Sequence, residues 1–261
     1  MEQQGTKYFE IIRVKKHEHT KINDLVVEEK PVTIFLNDKE FVTLLCSPGK
    51  LDFLAVGFLR SEGLINSADE LEEVLVDDTE GMVFIKTAEK NELMEKLYGK
   101  RTITSGCGKG TVFFNVLDSL QSSPIVSEIK VEEAKLAELM HELQELSSLF
   151  KATGGVHSAA LANTEELLFF SEDIGRHNAV DKIVGECLIK GLALEDKILL
   201  SSGRLSSEIV IKGAKMKFPF IVSRSAPTSL GVELARELGI TLVGFVRGGR
   251  LNIYAHEHRV L

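Results

Sequence analysis

Arginine follows four β-type segments of this chain, each time among serine or glycine. Ser171-Glu172-Asp173-Ile174-Gly175-Arg176-His177-Asn178 comes after the run Leu167–Phe170, and Ser201-Ser202-Gly203-Arg204 after Ile198–Leu200. Ser223-Arg224-Ser225-Ala226-Pro227-Thr228-Ser229 comes after Phe220–Val222, and Arg247-Gly248-Gly249-Arg250 after Thr241–Val246. Small residues let backbone N–H groups approach an oxyanion, and a guanidinium offers a planar donor fork for bidentate binding. One such turn usually means a helix cap. Four at one edge of a sheet point instead to a polyanionic ligand with more than one phosphate, in a crevice that Arg176, Arg204, Arg224, Arg247 and Arg250 share. Neither GxxxxGK[ST] nor a strand-linked GxGxxG occurs, so this is not an ordinary nucleotide fold.

The second candidate chemistry is a thiol. Three cysteines, Cys46, Cys107 and Cys187, form neither a disulfide framework nor a CxxC knuckle. Cys107 lies in Thr104-Ser105-Gly106-Cys107-Gly108-Lys109-Gly110-Thr111, where three glycines predict an open loop and Lys109 favours the thiolate. Cys46 ends an apolar strand and Cys187 shares a helical stripe with Val180, Ile183 and Val184, so both are expected in the core. His256-Glu257-His258 lacks a third ligand at sensible spacing, and no metal site is expected. Glu172-Asp173 is expected to hold Arg176 or to accept hydrogen bonds from a guanine edge.

These groups must be positioned by two differently built halves. In the first, an apolar run at Tyr8–Val14 precedes a hairpin, Val32–Leu36 with Phe41–Leu45. Apolar residues at helical spacing from Leu51 to Leu59 stop at Gly63, and a second hairpin turns around Asp77–Gly81. A short helix is predicted over 89–98. The polar stretch Gln121-Ser122-Ser123-Pro124 marks the boundary between an α+β domain, 1–127, which ends in the reactive-cysteine loop, and an αβα domain, 128–261. The second opens with one long helix, Val131–Phe150. Strands at Ala159–Ala162, Leu167–Phe170, Lys197–Leu200, Pro219–Val222, Thr241–Val246 and Leu251–Tyr254 then alternate with helices Asn178–Ile189, Ser206–Lys215 and Thr228–Leu238. This pattern predicts a largely parallel, three-layer sheet with an antiparallel hairpin at one edge.

Composition narrows the class. With 44% hydrophobic and 27% charged residues the 261-residue chain is globular rather than disordered. No apolar run approaches the length of a membrane span and the start lacks a signal-peptide pattern, so a soluble intracellular protein is expected. A net charge of −8 argues against nucleic acid as a partner. Residues 200–261 nevertheless carry nine Lys or Arg against four acids, an excess of five at the end where the arginine turns lie.

Several segments in order resemble the formate dehydrogenase accessory proteins, the FdhD-type sulfurtransferases. They include Gly57-Phe58-Leu59-Arg60-Ser61-Glu62-Gly63, Gly155-Val156-His157-Ser158-Ala159-Ala160, Glu172–Lys182, Ser202-Gly203-Arg204, Ser225–Ser229 and Val243–Arg250. The resemblance implies a cytoplasmic sulfur carrier that takes sulfane sulfur from a cysteine desulfurase as a Cys107 persulfide. The sulfur would pass to the molybdenum bis(molybdopterin guanine dinucleotide) cofactor, enabling the catalytic subunit of formate dehydrogenase. It further implies a homodimer, a second domain like the cytidine deaminase fold without its zinc ligands, and a cofactor-binding stretch at Phe245, Val246, Arg247, Gly248, Gly249 and Arg250. The family commonly carries CGxCG where this chain has Gly110 in place of the second cysteine. Two rival functions differ in class. One is a non-catalytic chaperone that binds and delivers the cofactor; the other is a deaminase, whose His-x-Glu and PCxxC elements are absent from the sequence.

Overall fold

The structure, a computed structural model, describes residues 5–88, 102–103 and 124–261. The helix predicted over 89–98 and the Cys107 loop lie outside the described residues.

Asn37 and Asp38 both take positive φ, 50° and 64°, the two-residue turn whose twist suits a hairpin and which asparagine and aspartate tolerate. They join β3 (Lys30–Leu36) to β4 (Lys39–Cys46). A similar turn at Lys16 and His17 joins β1 (Thr6–Lys15) to β2 (Glu18–Val27), a separate two-stranded ribbon. Only the first of those two strands is signalled by its apolar residues. Helix α1 (Leu51–Glu62) ends where Gly63, at φ 80°, donates its N–H to the carbonyls of Arg60 and Leu59. β5 (Leu71–Asp77) and β6 (Met82–Thr87) form the second expected hairpin, and β7 (Thr102–Ile103) completes a sheet of order β5-β6-β3-β4-β7. β7 runs parallel to β4. Val32, Ile34, Leu44, Val83 and Ile85 pack with Leu54, Ala55 and Leu59 of α1.

The long helix expected at Val131–Phe150 is two helices, α2 (Glu133–Leu146) and α3 (Ser148–Thr153). Ser147 breaks it at ψ 65°, where its Oγ donates to the Leu143 carbonyl and lies 2.7 Å from Ser158 Oγ. The break is thus set by a tertiary contact with the next strand, β8 (His157–Ala162). β9 (Leu167–Asp173), α4 (Arg176–Ile189), β10 (Ile198–Ser201), α5 (Ser207–Lys215), β11 (Phe220–Ser223), α6 (Ser229–Glu237), β12 (Thr241–Arg247) and β13 (Arg250–Ala255) follow.

The second sheet has the order β13-β12-β11-β10-β8-β9. β9 to β12 point one way, while β8 and β13 run against them. The reversed β8 therefore lies inside the sheet rather than at its border, because the Asn163 turn folds β9 back on its outer side and α4 carries the chain to its inner side. Alternate residues divide into two cores. Leu161, Leu199, Ile221 and Leu242 pack with α4, α5 and α6, while Ala160, Leu200, Phe220 and Val243 pack with Leu136, Leu139, Met140 and Leu143 of α2. These are the three layers that the alternating pattern predicts. Residues 125–131 lie against this sheet. Ile125 N–H donates to the Leu238 carbonyl, and the buried Arg259 guanidinium donates to the carbonyls of Ser127, Gly239 and Ile125.

Helix α4 is sandwiched between the second sheet and α1, so Asn178, Asp181, Lys182 and Glu186 are buried along with its apolar residues. A Cβ on Gly57 of α1 would come 1.8 Å from the Asp181 carbonyl oxygen, and one on Gly185 of α4 would come 1.9 Å from the Phe53 carbonyl oxygen. The two backbones can meet this closely only at glycine. Buried charge at the crossing is paired, as it must be. Asp181 accepts from Ser61 Oγ and Lys212 Nζ, and Glu186 lies 2.7 Å from Lys50 and 2.6 Å from Lys190.

Candidate functional site: an arginine-rich crevice at the sheet edge

The carboxyl ends of β9, β10, β11 and β12 lie along one edge of the second sheet, with the starts of β8 and β13. Serines tie the turns there to one another. Ser202 N–H donates to the Ser158 carbonyl and Ser158 N–H to Ser202 Oγ, both at 2.9 Å. Ser223 Oγ donates to the Gly203 carbonyl and accepts from Ser225 N–H. Ser201 Oγ accepts from Gly203 N–H. A Cβ on Gly203 would stand 2.9 Å from Cβ of Arg176, so this glycine lets the arginine lie flat against the neighbouring turn. The serines thus build the edge, and the arginines are its uncommitted charge. Among the described residues no carboxylate forms an ion pair with Arg176, Arg204, Arg224, Arg247 or Arg250.

A crevice of about 520 Å³ opens at this edge. His157, Ser158, Ser202, Arg224, Ser225 and Arg247 line it from the sheet, and Phe150, Lys151, Gly154 and Gly155 from the end of α3. Gly155 also admits Val27 of the ribbon, whose Cγ1 would be 2.6 Å from a Cβ there. Arg176 and Arg204 stand beside the crevice rather than in its lining. Burial first, then their two charges, holds the His157 imidazole below the ordinary histidine range. Burial, then the charge of Arg204, likewise disfavours the charged form of Arg176, whose Nε is buried without a hydrogen-bond partner.

The stretch 245–250 is divided by its geometry. Phe245 takes φ 54°, a left-handed conformation uncommon for an aromatic residue, at an irregularity in the β12–β13 pairing, with its N–H bonded to the Ser225 carbonyl. Val246 is buried in the core under α2. Gly248 and Gly249, at φ 59° and 73°, make the exposed turn. Arg247 lies 5.4 Å over the Phe245 ring and reaches the crevice, while Arg250 pairs with Arg247 across the hairpin and does not line it.

Glu172 and Asp173 do not hold Arg176, and their carboxylates are engaged elsewhere in the protein. Glu172 accepts the N–H groups of Leu149 and Phe150 at 3.0 and 2.9 Å, capping α3. Asp173 is fully buried and paired at 2.8 Å with Lys182, itself 2% exposed. Its oxygens also accept from Ser47 N–H, Gly175 N–H and Asn178 Nδ2. Their partners lie up to 126 residues away, beyond the reach of local sequence reasoning. His157, Lys151 and Gly155 are site residues that the arginine pattern does not single out; Gly154-Gly155 two residues before His157 is the signal that could have found them.

The FdhD/NarQ family model matches residues 27–261. The chain belongs to the FdhD/NarQ family. It is 42% identical over 260 residues to the sulfur carrier protein FdhD of Bacillus subtilis (strain 168), covering 100% of this chain and 99% of that one. With the sulfur carrier protein FdhD of Geobacillus kaustophilus it shares 43% identity over 238 residues, 91% of this chain and 90% of that one. Among solved structures, a formate dehydrogenase accessory protein from Desulfotalea psychrophila superposes with a TM-score of 0.80 at 28% identity, covering 98% of this chain and 99% of that one. The motif resemblance and the family agree. In this FdhD/NarQ chain the segment Glu172–Lys182 is largely architectural, and Arg176 is its contribution to the charged edge. No helix among the described residues is long and apolar enough to cross a membrane.

Proposed function

We propose that this chain is a sulfur carrier for formate dehydrogenase maturation, loading sulfur on Cys107 and passing it to a molybdenum bis(guanine dinucleotide) cofactor held at the arginine edge. The observation that carries this reading is the set of guanidinium groups at one sheet edge with no carboxylate ion pair among the described residues, which suits a ligand bearing pyrophosphates. The names of the relatives supply the sulfur chemistry.

Cysteine placement supports the choice of carrier. Cys46 and Cys187 are buried, and burial pushes both thiols up to about 12. At that value almost no thiolate exists near neutral pH, and the thiolate is the attacking species. Cys107, outside the described residues, is the remaining cysteine. β7 runs beside β4 in the same direction, and just past the end of β4 Ser47 N–H bonds Asp173 at the arginine edge. β7 ends with Ile103 beside Leu44, three residues before Ser47, and Cys107 follows Ile103 by four residues in the sequence.

In the loading step the Cys107 thiolate attacks the terminal sulfur of a desulfurase persulfide; one S–S bond forms, one breaks, and the desulfurase thiolate leaves. Delivery of that sulfane sulfur as sulfide takes two electrons, supplied in this reading by an external thiol that ends as a disulfide. Gly110 removes the loop thiol that could otherwise serve.

The test uses a cysteine desulfurase with sulfur-labelled cysteine. Wild type, Cys46→Ala and Cys187→Ala should each retain label that thiol reductant releases, and Cys107→Ala should retain none and fail to support an active dehydrogenase. A Cys107→Ala protein that supports normal dehydrogenase activity at normal abundance would replace the carrier with a cofactor chaperone.

A further inference from the structure

The charged groups around His157 are unevenly committed. From β9, Asp173 is spent on Lys182 and Glu172 on the N–H groups of α3. Lys151 of α3 is paired with Glu145 at 2.8 Å. From α4, His177 lies 3.2 Å from Glu208 of α5, and Arg176 feels the same carboxylate but forms no ion pair with it. Arg204, Arg224 and Arg247 complete the surroundings from the turns after β10, β11 and β12. The half-buried imidazole thus sits in a crevice where burial, Arg176, Arg204 and His177 together outweigh the one carboxylate that favours its charge, Asp173, and both Asp173 and the lining residue Glu145 are already paired with lysines.

Occupancy by a phosphate-bearing ligand reverses that balance. An anion beside an imidazole favours the cation, as it favours any positive group within a few ångströms. We propose that His157 is a ligand of the anion in this crevice and takes up a proton as the anion binds, so that binding is proton-linked. The inference rests on the reading of this edge as a phosphate site. In the empty crevice the neutral imidazole is favoured, by burial first and then by Arg176 and Arg204. Protonation on binding gives the ligand one further charged donor among the arginines. Release of the ligand as the pH rises becomes correspondingly easier.

The experiment is calorimetry of GDP and of inorganic pyrophosphate binding to the full chain, in buffers of different ionisation heat and from about pH 8 to about pH 6, the range that spans an ordinary histidine. The observed heat should change with the buffer in the direction of proton uptake. Affinity should rise as the pH falls, by up to about tenfold per pH unit, the limit for one linked proton. His157→Gln and His157→Asn should both lose the buffer dependence and flatten the pH profile beyond the ligand's own titration, which phosphorus NMR of the free probe supplies. His177→Gln should keep both. Wild-type heats independent of buffer, or a dependence that survives in a folded His157 variant, would overturn the proposal and leave the anion site standing. If neither probe binds at any pH, the phosphate-site reading fails and the proposal with it.

Discussion

Lys182 is among the largest fully buried side chains of the described residues, and its charge is tolerable because Asp173 and the carbonyls of Ser47 and Glu172 surround its ammonium. Removing one member of such a pair leaves the other charged and unsolvated. Lys182→Met should therefore lower stability by about 3 to 5 kcal/mol in denaturant titration, and Asp173→Asn in the same chain should recover part of the loss. The pair also fixes the turn that delivers Arg176, since Asp173 holds Gly175 N–H and the Asn178 amide as well. Within the edge itself the arginines are not equivalent. Arg224→Ala and Arg247→Ala, in the crevice lining, should each weaken GDP binding by about 1 to 3 kcal/mol, the scale of a charged hydrogen bond. Arg250→Ala, on the hairpin, should cost less. Equal losses at all three positions would mean that the ligand lies over the hairpin instead of in the crevice.

At the scale of elements, the crossing of α1 and α4 is the tightest constraint. A methyl group at Gly57 or Gly185 would run into the other helix's backbone, and a backbone cannot rotate away as a side chain can. Gly57→Ala and Gly185→Ala should each destabilise by at least the roughly 1 to 3 kcal/mol of an overpacked core, read as a fall in melting temperature. An unchanged melting temperature in either variant would mean that the helices are free to part. Sequence patterning reached such elements unevenly. β3 to β6 and α1 were legible because Asn37-Asp38, Gly81 and Gly63 punctuate clear apolar periods. β2 was not, since Glu18–Val27 presents no clean apolar face and its turn, Lys16-His17, lacks asparagine or glycine. The break at Ser147 depends on Ser158, and the burial of β8 between β9 and β10 depends on where α4 crosses; neither leaves a local mark. The same division holds at the site. The arginines were visible through their position after strands, whereas the duties of Glu172 and Asp173 are set by distant partners.

For the molecule as a whole, the two sheets are joined through buried polar groups as well as apolar ones: Ser47 with Asp173 and Lys182, Ser61 with Asp181, Leu45 with Asn178. Each of these contacts links residues 120 to 135 positions apart. Helix α1 is buried on more than one face, against its own sheet through Leu54 and Leu59 and against α4 through Gly57. During synthesis no described residue that precedes α4 covers the face that α4 will meet. Contacts so distant in sequence form late and slowly, because a long loop must close before any of them is made. A chain cut at residue 127 should expose that apolar face and aggregate on expression, as partly folded species with uncovered hydrophobic surface do. A soluble fragment 1–127 with a cooperative melting transition would contradict this. The helix crossing is thus also a checkpoint in time: α1 is not fully covered until α4, whose first residue is Arg176 of the charged edge, has emerged, and a nascent chain needs shielding over that interval.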